Sequence, residues 1–89
     1  MLYTVYSVRD RLVGFGALLP DTSPENAKRN FALAMRTNPA ADDYDLYSIA
    51  EYDTETGFIK PFPVPSLVLT GHAAASMYAV PDKEVSPNV

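Results

Sequence analysis

Hydrophobic and polar positions along the chain follow two periods. Over 2–8 the residues Leu-Tyr-Thr-Val-Tyr-Ser-Val read as a strand by type, with Tyr3 and Val5 on one face and Thr4, Tyr6 and Val8 on the other. Arg9-Asp10-Arg11 makes a compact polar break. Over 12–19, Val13, Phe15, Ala17 and Leu19 share a face while Gly14 and Gly16 alternate opposite them. Glycine inside a strand marks a bulge or a close backbone approach, so a hairpin with an irregular second arm is expected. The period then lengthens. Thr22 or Ser23 can cap a helix, Pro24 suits its first position, and Glu25 suits the positive end of its dipole. A helix over 24–36 follows, with an apolar stripe of Ala27, Phe31, Ala34 and Met35. Thr37-Asn38-Pro39 stops it, because the residue before proline is pushed out of the α region.

The firmest element is a second hairpin over 42–62. Residues 44–52 are rich in aromatic and β-branched side chains, and Asp53-Thr54-Glu55-Thr56-Gly57 supplies turn chemistry. Phe58-Ile59-Lys60 resumes the strand, and Pro61, Pro63 and Pro65 are expected to end it by removing ladder donors. Strict alternation assigns Tyr44, Leu46, Ser48, Ala50 and Tyr52 to a core face. It assigns Asp45, Tyr47, Ile49, Glu51 and Asp53 to the other. Residues 66–71 suit a strand or a helical turn, and periodicity does not choose between them. Residues 72–80 are alanine-rich, and 81–89 read as a mobile tail.

The predicted fold is α+β: an antiparallel sheet of about four strands in ββαββ order, one covering helix and an extended C-terminal segment, with a single domain over 1–80. One helix covers only one face of such a sheet. The other face therefore needs a cover: the C-terminal segment, a second copy or a ligand. Tyr47 and Ile49 are the candidate interface residues there, and a homodimer is expected.

Composition narrows the chemistry. With 89 residues, a single small core buries roughly 60–65% of the unfolded chain's surface. There is no cysteine and one histidine, His72, so no disulfide, metal or other cofactor is expected. No apolar run approaches the roughly 20 residues of a membrane span, and the N-terminus does not read as a secretory signal. A soluble, intracellular protein with no membrane association is expected. No nucleophile elbow or phosphate-cradling loop occurs, and Asp53 to Gly57 lacks the length and closing glutamate of a calcium loop. An enzyme is the class least expected.

Net charge is −4, which disfavours a phosphate-neutralising protein. The charge is nevertheless polarised along the chain. Arg9, Arg11, Lys28, Arg29 and Arg36 precede the acids gathered over 42–55. Sheet aromatics beside cations stack bases in many single-strand binders. Most rings in so small a domain must fill its core, and Tyr6 and Tyr47 are the candidates for stacking.

Three stretches carry a resemblance: Tyr6-Ser7-Val8-Arg9-Asp10, the helix around Ala27-Lys28-Arg29-Asn30-Phe31, and above all Asp42 to Gly57. Over about 3–65 the chain resembles the small nonstructural protein of gokushovirus-type microviruses, phages with circular single-stranded DNA. It departs mildly at Ala50 and Tyr52, where relatives tend to have Gly and Phe. The resemblance implies a non-enzymatic role in viral single-stranded DNA synthesis or in the switch from replication to packaging. It places the protein in the host bacterial cytoplasm, not in the virion. Direct contact with single-stranded DNA is one expected mode. The alternative is a module that contacts a phage or host replication protein, or a capsid-assembly protein, without touching DNA.

Overall fold

The computed structural model describes residues 1–78 of the chain. The expected tail over 81–89, and the domain boundary at 80, lie outside the described residues. The order is β1 (Leu2–Asp10), β2 (Gly14–Asp21), α1 (Pro24–Met35), a 3₁₀ turn (Ala41–Asp43), β3 (Tyr44–Asp53), β4 (Ile59–Thr70) and α2 (Gly71–Met77). The four strands form one antiparallel sheet in the order β2-β1-β3-β4. Among the described residues, no helix is long and apolar enough to cross a membrane.

The α+β fold is as expected, with two corrections. Pro61, Pro63 and Pro65 do not end the last strand; β4 runs through all three to Thr70. It is an outer strand, where a missing N–H leaves no sheet partner unpaired. The described part of the alanine-rich stretch forms α2, so the described residues hold two helices where one helix and an extended segment were expected.

Local chemistry explains the helix ends. Ser23 Oγ caps α1 by accepting from Asn26 N at 3.1 Å, and Asp21 accepts from both Ser23 N and the Asn26 amide. Thr70 Oγ1 caps α2 by accepting from Ala73 N at 3.1 Å. In the β3–β4 turn, Asp53 Oδ1 accepts from Glu55 N, and Gly57 takes φ +81°.

Both helices lie on one face of the sheet. The core joins Tyr6 and Leu46 from the strands to Ala27, Phe31, Ala32 and Met35 of α1 and Ala74 of α2. The stripe differs from expectation at one position: Ala34 is exposed, and Ala32, wholly buried, takes its place in the core. Gly71 permits the close approach of α2, since a β-carbon there would overlap the carbonyl oxygens of Ala41 and Tyr44.

A bulge corrects the expected faces of β3. Val5 stands opposite Ala50 and Tyr6 opposite Ser48, so Ile49 is an extra residue on β3. On the other side, Ser48 pairs with Ser66 and Ala50 with Pro61, so residues 62–65 splay away from the ladder. The extra residue inverts the alternation. Tyr44, Leu46 and Ser48 face the helices with Tyr6 and Val8. Ala50 and Tyr52 share the opposite face with Val5 and Tyr3, alongside Tyr47 and Asp45.

Candidate binding face of the sheet

The face turned away from the helices has no cover among the described residues. The described C-terminal segment does not shield it, because it extends the sheet edge as β4 and then joins the helical layer as α2. Register places Arg9, Phe15, Leu18, Tyr47 and Leu67 on this face. Phe15, Leu18, Ile59 and Leu67 are all about half exposed, which is a large apolar area for a free surface.

The face has two ends of different character. At the first, the rings of Phe15 and Tyr47 meet edge to face, with centroids 5.3 Å apart. They come from β2 and β3 and so close over β1 between them. Beneath lies Ser7, wholly buried, with its hydroxyl donating to Gly16 O at 3.2 Å. Arg9 flanks the pair, in register with Phe15 on one side and Asp45 on the other. The Asp45 carboxylate also accepts from Gly71 N at 3.3 Å. Arg11 sits just beyond, exposed in the β1–β2 turn.

The second end is an apolar groove of about 460 Å³. Val5 and Ala50 form its buried floor, Ile49, Ile59, Phe62 and Pro65 line it, and Phe15 and Leu18 border it on the side of the ring pair. The bulge at Ile49 and the splayed residues 62–65 create this depression.

The candidate residues fall in three places. Arg9, Tyr47 and Ile49 lie on the open face, with Arg11 at its end. Lys28, Arg29 and Arg36 belong to α1 and its C-cap, on the helical side. There Lys28 lies 3.9 Å from Glu25, and Arg29 donates to Asn26 Oδ1 at 2.8 Å. The five cations therefore do not form one basic surface. Tyr6 is corrected outright. It is 3% exposed, packed under α1, and offers no ring face to a base. Burial pushes its phenol above the usual value of 10.0; the Asp21 carboxylate acts in the same direction and a hydrogen bond with Thr4 opposes it.

Residue pattern alone did not single out Leu18, Ile59, Phe62 and Leu67 for this face. Three belong to the proline-interrupted strand. Prolines at alternate positions were the available signal, since every second residue of a strand aims its N–H to the same side.

The model of one protein family, described as Phage ORF5 protein, matches residues 3–74. No curated protein and no solved structure gives a match.

Proposed function

Because the chain belongs to the Phage ORF5 protein family, we propose that it is a non-enzymatic phage protein of the gokushovirus type that binds single-stranded DNA on the open face of its sheet. In that role it serves viral DNA synthesis or the switch from replication to packaging, in the cytoplasm of the bacterial host. The observation that carries this reading is the Phe15–Tyr47 ring pair beside Arg9 on an uncovered sheet face. Unstacked bases lie on such rings, each contact contributing about 1–3 kcal/mol, while guanidinium groups meet the adjacent phosphates. Arg9 and Arg11 are the two cations at this end, so the site holds a short stretch of strand. With net charge −4 opposing it, binding is weak and strongly reduced by salt.

The test is fluorescence anisotropy of a labelled oligonucleotide across a salt series. Tyr47→Ala and Phe15→Ala are expected to weaken binding, and Arg9→Ala to lower the salt slope by about 0.7, the value of one single-strand phosphate contact. Absence of binding at low ionic strength, or affinity indifferent to all three variants, overturns the reading.

A second reading has its own observation, the wholly apolar groove at Ile49. No base or phosphate is matched by Val5, Ile59 and Pro65, whereas an apolar side chain of a replication or capsid-assembly protein is. Ile49→Asp is expected to abolish capture of such a partner, whereas Tyr47→Ala, outside the groove, is expected to leave that capture intact.

A further inference from the structure

The two outer strands of the sheet are built differently. β4 carries Pro61, Pro63 and Pro65, the residue type that keeps a free edge from pairing. β2 carries no charged side chain from Gly14 to Pro20, its one proline lies near its far end, and Ala17, Leu18 and Leu19 are exposed. Its ladder to β1 slips once, between Ser7 and Arg9. Otherwise nothing on β2 discourages another strand.

Beside this edge lie two apolar features at opposite ends. At the Gly14 end, the turn tip shows Leu12 at 88% and Val13 at 83% exposure, the highest of any large hydrophobic residue among those described. The tip is held in place: Leu12 N donates to Asp10 Oδ1 at 2.9 Å, and Arg11 N to Asp43 O at 3.0 Å. At the Asp21 end, a cleft of about 370 Å³ opens between β2 and α1. Leu19, Pro20, Phe31 and Ala34 line it, with Asp21 among them.

We propose that β2 pairs antiparallel with β2 of a second copy about a two-fold axis, joining two sheets into one of eight strands. Antiparallel pairing sets the Gly14 end of one strand beside the Asp21 end of the other. Each tip then meets the mouth of the other copy's cleft, Leu12 and Val13 against its apolar lining and Arg11 against its Asp21. A two-fold interface must be self-complementary, and knob, hole and opposite charges all stand at the places this pairing requires. The interface uses the edge and leaves the open face free, so it does not rest on the DNA reading.

Light scattering at micromolar concentration is expected to give twice the 9.7 kDa chain mass. Ala17→Lys and the double variant Leu12→Asp/Val13→Asp change exposed residues outside the core. Each is expected to weaken the dimer by about tenfold or more, with an unchanged circular dichroism spectrum. Because the chain has no cysteine, a single Ala17→Cys reports directly on the pairing. It is expected to cross-link under mild oxidation, whereas Val64→Cys on β4 is not. A wild-type mass of one chain overturns the proposal. So does a dimer that survives both sets of substitutions, or one that cross-links at 64 and not at 17.

Discussion

Gly71 is the position where one added methyl group should cost most. At the first residue of α2 its hydrogen faces the carbonyl oxygens of Ala41 and Tyr44. Both are backbone atoms, so no side-chain rotation can clear room for a β-carbon. Gly71→Ala must push α2 away from the 3₁₀ turn and β3. Overpacking of this kind costs about 1–3 kcal/mol. The same displacement stretches the 3.3 Å bond from Gly71 N to Asp45, which contributes about 1 kcal/mol. It also lifts Ala74, wholly buried, from the core. Alanine gains back about 0.4–1 kcal/mol by restricting the unfolded chain. The balance is a loss of about 2 kcal/mol. For a domain this small that lowers the melting temperature by roughly 8–16 °C. Thermal and urea unfolding followed by circular dichroism give the number. Ala73→Gly, an exposed change in the same helix, serves as the control and is expected to cost about 0.5–1 kcal/mol. A Gly71→Ala variant as stable as wild type would refute the close approach of α2.

Two further perturbations probe the turn and the core. Gly57 holds φ +81°, and a β-carbon there would meet nothing within 4 Å, so Gly57→Ala is expected to cost about 1 kcal/mol through the backbone alone; Gly57→Asn should cost less, since asparagine tolerates that region, and equal losses in urea titrations would count against this. The raised pKa of Tyr6 means folding favours the neutral phenol. That contribution is fully present below pH 10 and is lost as pH rises from there through the folded value. Tyr6→Phe should flatten the alkaline limb of the stability curve, and an unchanged slope would exclude Tyr6 as its source.

Much of the architecture was legible where local chemistry and tertiary packing agree. The Ser23-Pro24-Glu25 start of α1 and the Asp53 to Gly57 turn carry their own signals, and both formed at the expected positions. The faces of β3 were legible only up to Ile49. A bulge depends on how neighbouring strands fit, and no local preference marks the residue that will be squeezed out of register. The start of β4 was legible, and its run through Pro61, Pro63 and Pro65 was not, for a related reason: proline forbids a central strand and permits an outer one, and strand order is a property of the whole sheet. α2 is short and alanine-rich, and its place in the core depends on Gly71 meeting Ala41, far back along the chain. Of the candidate site, Arg9, Tyr47 and Ile49 were legible from residue type. Tyr6 was misread because an aromatic ring on a strand looks the same whether its face is wet or dry.

The prolines of β4 also bear on how far such a sheet can grow. A strand stripped of alternate donors over 61–65 is a poor template for a newcomer, so hydrogen bonding propagates more readily from the β2 side. A sheet with one receptive margin closes once two such margins meet. In the proposed dimer the aliphatic richness that would otherwise invite fibres is confined to a finite particle, and three pyrrolidine rings act as its terminator.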